Sequence, residues 1–215
     1  MVKSTYIVRI TDGLPLSASV DDTEDETKLS HQKQQCKLIS RKLTPNSEDR
    51  ASIESGESTI HYLILNNVAY MCICDKSYPR KLSFSYLEEI SREFDNSFGQ
   101  EIHKPGLRPY AFVQFDNFMQ KSKKVYQDTR ATQNLDKLNS ELQDVTRVMT
   151  KNIEDLLYRG DSLDKMADMS SSLRMESKKY KRAAQKINFD ALIKQYVPII
   201  GVSLIFLFLI WWMFF

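Results

Sequence analysis

A stripe of small or apolar residues runs from Leu135 to Ile187 in unbroken steps of three and four. In order it reads Leu135, Leu138, Leu142, Val145, Met149, Asn152, Leu156, Arg159, Leu163, Met166, Ser170, Leu173, Ser177, Tyr180, Ala184 and Ile187. Steps that alternate in this way average 3.5 residues, so the stripe keeps one helix face only if the helix supercoils left-handed against partners. The segment 127–195 has no proline and one glycine, Gly160, and apart from the stripe it is polar. Alone it buries too little to offset the entropy of ordering it. The sequence therefore predicts a segment that is unfolded, or held by another surface, until partner helices arrive.

The one charge in the stripe, Arg159, lies near its middle between Leu156 and Leu163. Burying a guanidinium is costly unless other chains bring acceptors to it. It offers five donors and no acceptor, so glutamine-type amides would satisfy it without ionisation. A single polar layer fixes register and partner identity at some cost in stability. Asn152, Ser170 and Ser177 loosen the seam and weigh against a simple homodimeric zipper. The bland alternatives are a surface arginine that falls in phase, a self-assembling tail-anchored tether, and an adaptor that does not itself fuse membranes.

From Tyr196 to Phe215 the chain has twenty residues without a charge. As a helix they would span about 30 Å, the thickness of a bilayer core. Pro198 is tolerable in the first turn, where N–H groups have no intrahelical partner. Lys178, Lys179, Lys181, Arg182, Lys186 and Lys194 precede this span against Asp190, as the positive-inside rule requires of a cytosolic flank. They would also attract anionic headgroups. Met1 to Ile10 lacks the basic and apolar regions of a signal peptide. The expectation is a C-terminal tail anchor with the body in the cytosol. Cys36, Cys72 and Cys74 then imply no disulfide framework.

Proline and glycine punctuate the first 109 residues, which read as a mixed domain. Ser4–Ile10 and Leu14–Val20 flank Asp12-Gly13, a hairpin signal. Asp25–Leu43 carries Leu29, Cys36, Ile39 and Leu43 at helical spacing and stops at Thr44-Pro45. Three strand-like runs follow, Ala51–Ser55, Ser58–Leu65 and Val68–Asp75, with turns at Gly56-Glu57 and Asn66-Asn67. The last two runs are apolar on both faces and should lie mid-sheet with cover on either side. Helices over Pro79–Phe98 and about Phe115–Tyr126 are available to supply it. The predicted class is α+β, a five-stranded antiparallel sheet between helices, followed by the long helix and the anchor.

The stretch Asn152 to Leu173, NIEDLLYRGDSLDKMADMSSSL, resembles the R-SNARE motif of the synaptobrevin superfamily, with Arg159 in the place of its ionic-layer arginine. STYIVRITDGLPLSASV, SGESTIHYLI, SYPRKLSFSYLEEI and RPYAFVQFDNFMQKSKKVY resemble the longin R-SNAREs that work between endoplasmic reticulum and Golgi. The resemblance spans essentially the whole chain. It implies a profilin-like longin domain at 1–126, a SNARE motif at 127–190, a linker at 191–195 and an anchor at 196–215. It further implies pairing with three glutamine-bearing SNARE (Q-SNARE) helices to fuse vesicles with endoplasmic reticulum or Golgi membranes. In that family the head can fold back onto its own SNARE segment, and vesicle coat proteins can read the folded-back form. Here the expected self-contact is Asn152-Ile153-Glu154, because Ile153 and Leu157 lie off the main stripe. A wider apolar face within the bundle is the alternative.

Other signals are weak. Cys72-x-Cys74 puts two thiols on one strand face, where they read as small buried apolar groups rather than a metal site. His31, His61 and His103 show no ligand spacing, and no nucleophile has a base nearby. No catalysis and no cofactor are expected. A net charge of +2 gives no case for nucleic acid, and no small-molecule substrate is expected.

Overall fold

The computed structural model describes residues 1–21, 29–127 and 148–153. Two strands open the chain, β1 (Val2–Arg9) and β2 (Leu14–Ala18), joined through Gly13 at φ 65°. Helix α1 (Ser30–Lys42) follows, with Leu29 at its N-cap position; residues 25–28 of the expected helix lie outside the described residues. Then come β3 (Arg50–Ser55), β4 (Ser58–Leu65) and β5 (Val68–Asp75). The β4–β5 turn places Asn66 and Asn67 at φ 51° and 61°. Asparagine tolerates that left-handed region better than other residues with a side chain. Helix α2 (Arg80–Phe98), a 3-10 turn (Val113–Phe115) and α3 (Asp116–Gln127) complete the head.

The sheet order is β2-β1-β5-β4-β3-β6, in which β6 is Met149–Asn152. The two strands apolar on both faces, β4 and β5, lie in the middle as their composition requires. On one face Tyr6, Ile53, Ile60, Met71 and Ile73 pack with Cys36 and Ile39 of α1. On the other, Ile7, Tyr70 and Cys72 pack with Phe84, Leu87, Ile90 and Phe94 of α2 and Met119 of α3. Phe94 is the hub there, with the rings of Tyr70, Phe98, Phe112 and Phe115 around it at 5.0–6.1 Å. The layers are tied by a buried polar knot. Asp21 accepts from Ser4 at 2.6 Å and pairs with Lys33 of α1 at 2.8 Å, while Asp116 of α3 accepts from the Val20 N–H. Burial raises the Asp116 carboxyl above the usual carboxylate range.

The expectation of five antiparallel strands needs correction. The sheet has six strands and is mixed, because β6 joins it parallel to β3. The five head strands pair antiparallel, as the hairpins β1–β2, β3–β4 and β4–β5 and through the long-range pair β1–β5, and they leave β3 as an edge with unpaired backbone groups. An extended segment supplied from the chain beyond α3 satisfies that edge. Among the described residues no helix is long and apolar enough to cross a membrane. The span expected at 196–215 lies outside the described residues.

Candidate functional site

Residues 148–153 meet the head along β3 in one register: Met149 opposite Ala51, Thr150 opposite Ser52, Lys151 opposite Ile53 and Asn152 opposite Glu54. Alternation along a strand sends neighbours to opposite faces. Val148, 9% exposed, joins the core under α2, and Ile153, 8% exposed, joins the core under α1. The segment is thus plugged into both layers, one apolar side chain at each end. A slip of one residue would exchange the faces of every side chain between them.

Polar contacts reinforce this register. Arg80, the first residue of α2, donates from Nη2 to Thr150 Oγ1 at 2.9 Å and from Nη1 to the Val148 carbonyl at 3.4 Å. Lys151 Nζ lies 3.1 Å from Glu48 Oε2. Both groups are partly exposed, so that ion pair contributes little energy and mainly orients the side chain.

A row of polar side chains leads from the middle of the sheet to this edge. Cys72, His61, Ser52 and Thr150 are successive cross-strand partners. His61 Nδ1 shares a 2.8 Å hydrogen bond with Ser52 Oγ, and its ring stands edge-on to Phe84 at 5.4 Å. Its Nε2 has no hydrogen-bond partner among the described residues. Burial, and secondarily the charge of Arg80, push this imidazole down to about 4, so it is neutral at neutral pH.

Of the residues singled out in the sequence, Met149, Asn152 and Ile153 fall in this segment, Met149 half exposed and Asn152 exposed. The stripe predicts helix at Met149 and Asn152, whereas both belong to a strand here. At these two positions the edge of β3 supplies a strand partner. Glu154, Arg159 and the other stripe positions lie outside the described residues. Periodicity did not single out Val148, Thr150, Lys151, Arg80 or Glu48. The available signal was the two apolar residues, Val148 and Ile153, that bracket Met149-Thr150-Lys151-Asn152; an odd spacing of five sends them to opposite faces of a strand. Cys72 and Cys74 are buried with Sγ atoms 3.6 Å apart, and burial pushes Cys36 up to about 12 and Cys72 well above its usual value. Among the described residues no group of His, Cys, Asp or Glu could hold a metal.

The fold is a two-faced α/β head that takes up residues 149–152 of the same chain as a strand along the edge of β3. Comparison with known families agrees in both halves. The longin model, described as a regulated-SNARE-like domain, matches residues 16–119, and the synaptobrevin model matches residues 134–214. The chain is 67% identical to protein transport protein SEC22 of Yarrowia lipolytica over 215 residues, covering all of both chains. It is 56% identical to protein transport protein SEC22 of Saccharomyces cerevisiae, covering 100% of this chain and 99% of that one. It is 41% identical to vesicle-trafficking protein SEC22b of Xenopus tropicalis, covering 99% of this chain and 100% of that one. The chain belongs to the SEC22 family of longin-type R-SNAREs.

Proposed function

We propose that this protein is an R-SNARE of transport between endoplasmic reticulum and Golgi whose longin head competes with the fusion bundle for one stretch of chain. The observation that carries the proposal is the double use of Met149 and Asn152. They are two of the sixteen stripe positions, and they are also paired residues of β6. A residue cannot be in a strand on β3 and in a bundle helix at once. Closing the head therefore removes part of the helix that partners need, and zippering removes the edge strand. The chain is not an enzyme; its work is assembly.

In the open state the stripe from Leu135 to Ile187 zips with three Q-SNARE helices, and Arg159 is satisfied by their glutamine amides. Sixteen layers cover roughly 80 Å at about 1.5 Å per residue, and apolar burial supplies most of the driving force. We assign residues 1–126 to the head, 127–190 to the SNARE motif, 191–195 to the linker and 196–215 to the membrane anchor. The names of the relatives, protein transport and vesicle trafficking, support a place on secretory membranes. In the closed state the composite edge of β3 and β6 is the surface that a vesicle coat would read, with Asn152-Ile153-Glu154 as the self-contact.

Circular dichroism of residues 1–195 mixed with Q-SNARE helices tests the assembly claim. A helicity gain that needs all three partners and is lost in Leu156→Asp is expected, with Arg159→Ala weakening register more than total helicity. A gain that depends only on the chain's own concentration would make it a self-assembling tether and overturn the reading.

A further inference from the structure

We propose that Thr150 is a phosphorylation site, and that a phosphate there fastens β6 to the head through Arg80. The inference rests on the fold-back reading above and adds its regulation. Thr150 is exposed on an edge strand, and its hydroxyl already receives a hydrogen bond from Arg80 Nη2 at 2.9 Å. Among the described residues Arg80 has no carboxylate partner; its guanidinium is met by a carbonyl and this hydroxyl. The local anions are engaged elsewhere: Glu88 with Arg50, Glu54 with Lys76 and Glu48 with Lys151.

The start of α2 adds to the imbalance. Pro79 at its N-cap supplies no side-chain acceptor, and the first turn contains no acidic residue. The arginine that reaches Thr150 thus starts a 19-residue helix whose first turn carries no acidic residue to neutralise it. A phosphothreonine brings between one and two negative charges and three strong acceptors, and arginine meets phosphate in a bidentate pair. One hydrogen bond from the guanidinium to a neutral hydroxyl would be replaced by two from the guanidinium to an anion.

The step is an ordinary phosphoryl transfer by an ATP-dependent serine/threonine kinase. Thr150 Oγ1 forms a bond to the γ-phosphorus and its proton passes to the kinase's base. The bond from that phosphorus to the β–γ bridging oxygen breaks, and ADP leaves. Kinases act on extended peptide, and a released 148–153 segment presents the hydroxyl in that form. In sequence Thr150 follows Arg147 by three positions, a spacing that kinases selective for basic substrates read. Thr150 is not a stripe position, so the phosphate acts on the closed state far more than on the bundle interior.

The test uses the full chain in lipid nanodiscs with phosphothreonine installed at 150, beside the unmodified chain, each with Arg80 intact, Arg80→Lys and Arg80→Gln. Hydrogen exchange at 148–153 and β3 is read first, then the rate of helicity gain on adding Q-SNARE helices. Expected is a rise in amide protection on the order of tenfold and a matching slowing of assembly. The effect should be partly kept in Arg80→Lys and fall below about twofold in Arg80→Gln, where the charge-assisted pair is lost. No change on phosphorylation, or an equal change in Arg80→Gln, overturns the proposal. An unmodified chain with no protection at 148–153 would instead overturn the fold-back reading itself. A kinase selective for basic substrates, given ATP and the opened variant Ile153→Asp, should add phosphate at Thr150 by peptide mass; none at that residue counts equally against the proposal.

Discussion

Ile153 is one of the two apolar side chains that hold the edge strand in place. It is 8% exposed, it lies in the α1-side core, and it is anchored by only six described residues of its own segment. Truncating a buried isoleucine costs about 2 kcal/mol or more. Here the loss should fall on local closure. Ile153→Ala is predicted to raise hydrogen exchange at 148–153 by tenfold or more while shifting the head's denaturation midpoint little; a globally less stable head would show that Ile153 is ordinary core. His61 gives a second prediction, in pH. Its folded pKa is lowered from 6.5 to about 4, so between those values the unfolded chain holds the extra proton. Stability is then full above about pH 6.5 and falls as pH drops toward 4, by about 3 kcal/mol for a shift of this size. Asp12 and Asp75, held low, lose their contribution at still lower pH, and Asp116, held high, opposes the trend. The difference between the protein and His61→Gln isolates the histidine. Denaturant unfolding at pH 5 and 7 should show a steep loss in the first and a shallower one in the second.

Elements with strong local chemistry were legible in the sequence. Gly13 and the Asn66-Asn67 pair mark turns that demand positive φ, and β4 and β5 announce their central place by being apolar on both sides. Helix α2, expected over Pro79–Phe98, carries Tyr86, Leu87, Ile90 and Phe94 at helical spacing, all of them buried. Phe94→Ala is predicted to cost about 3–5 kcal/mol by chemical denaturation, because four aromatic rings lose their common neighbour. A loss below about 1 kcal/mol would mean that the cluster is not the core's centre. β6 was not legible, for a physical reason. Val145, Met149 and Asn152 sit at helical spacing, and Val148 and Ile153 at a spacing that only a strand puts to use. One stretch carries both patterns, and periodicity reports the state with more positions in phase. What selects the strand is the empty edge of β3, an unpaired neighbour that no local pattern reveals. Arg80 was silent likewise, since a basic residue at a helix start reads as solvated surface.

At the scale of the molecule, the proposal makes the head a competitor and the anchor a lever. On that proposal, force would reach the membrane only if the linker assigned to 191–195 is short. Inserting about 20 glycine and serine residues there, a flexible chain, is predicted to leave bundle assembly intact and depress liposome fusion several-fold; unchanged fusion would remove the lever. If head and bundle compete for residues 148–153 as proposed, hydrogen exchange at β3 reads the competition. These amides report the edge itself and never enter the bundle. The β3 amides facing β6 should be protected in residues 1–195 alone and exchange rapidly once Q-SNARE helices are bound. Protection that persists in the assembled complex, or that is absent from the free chain, would contradict it.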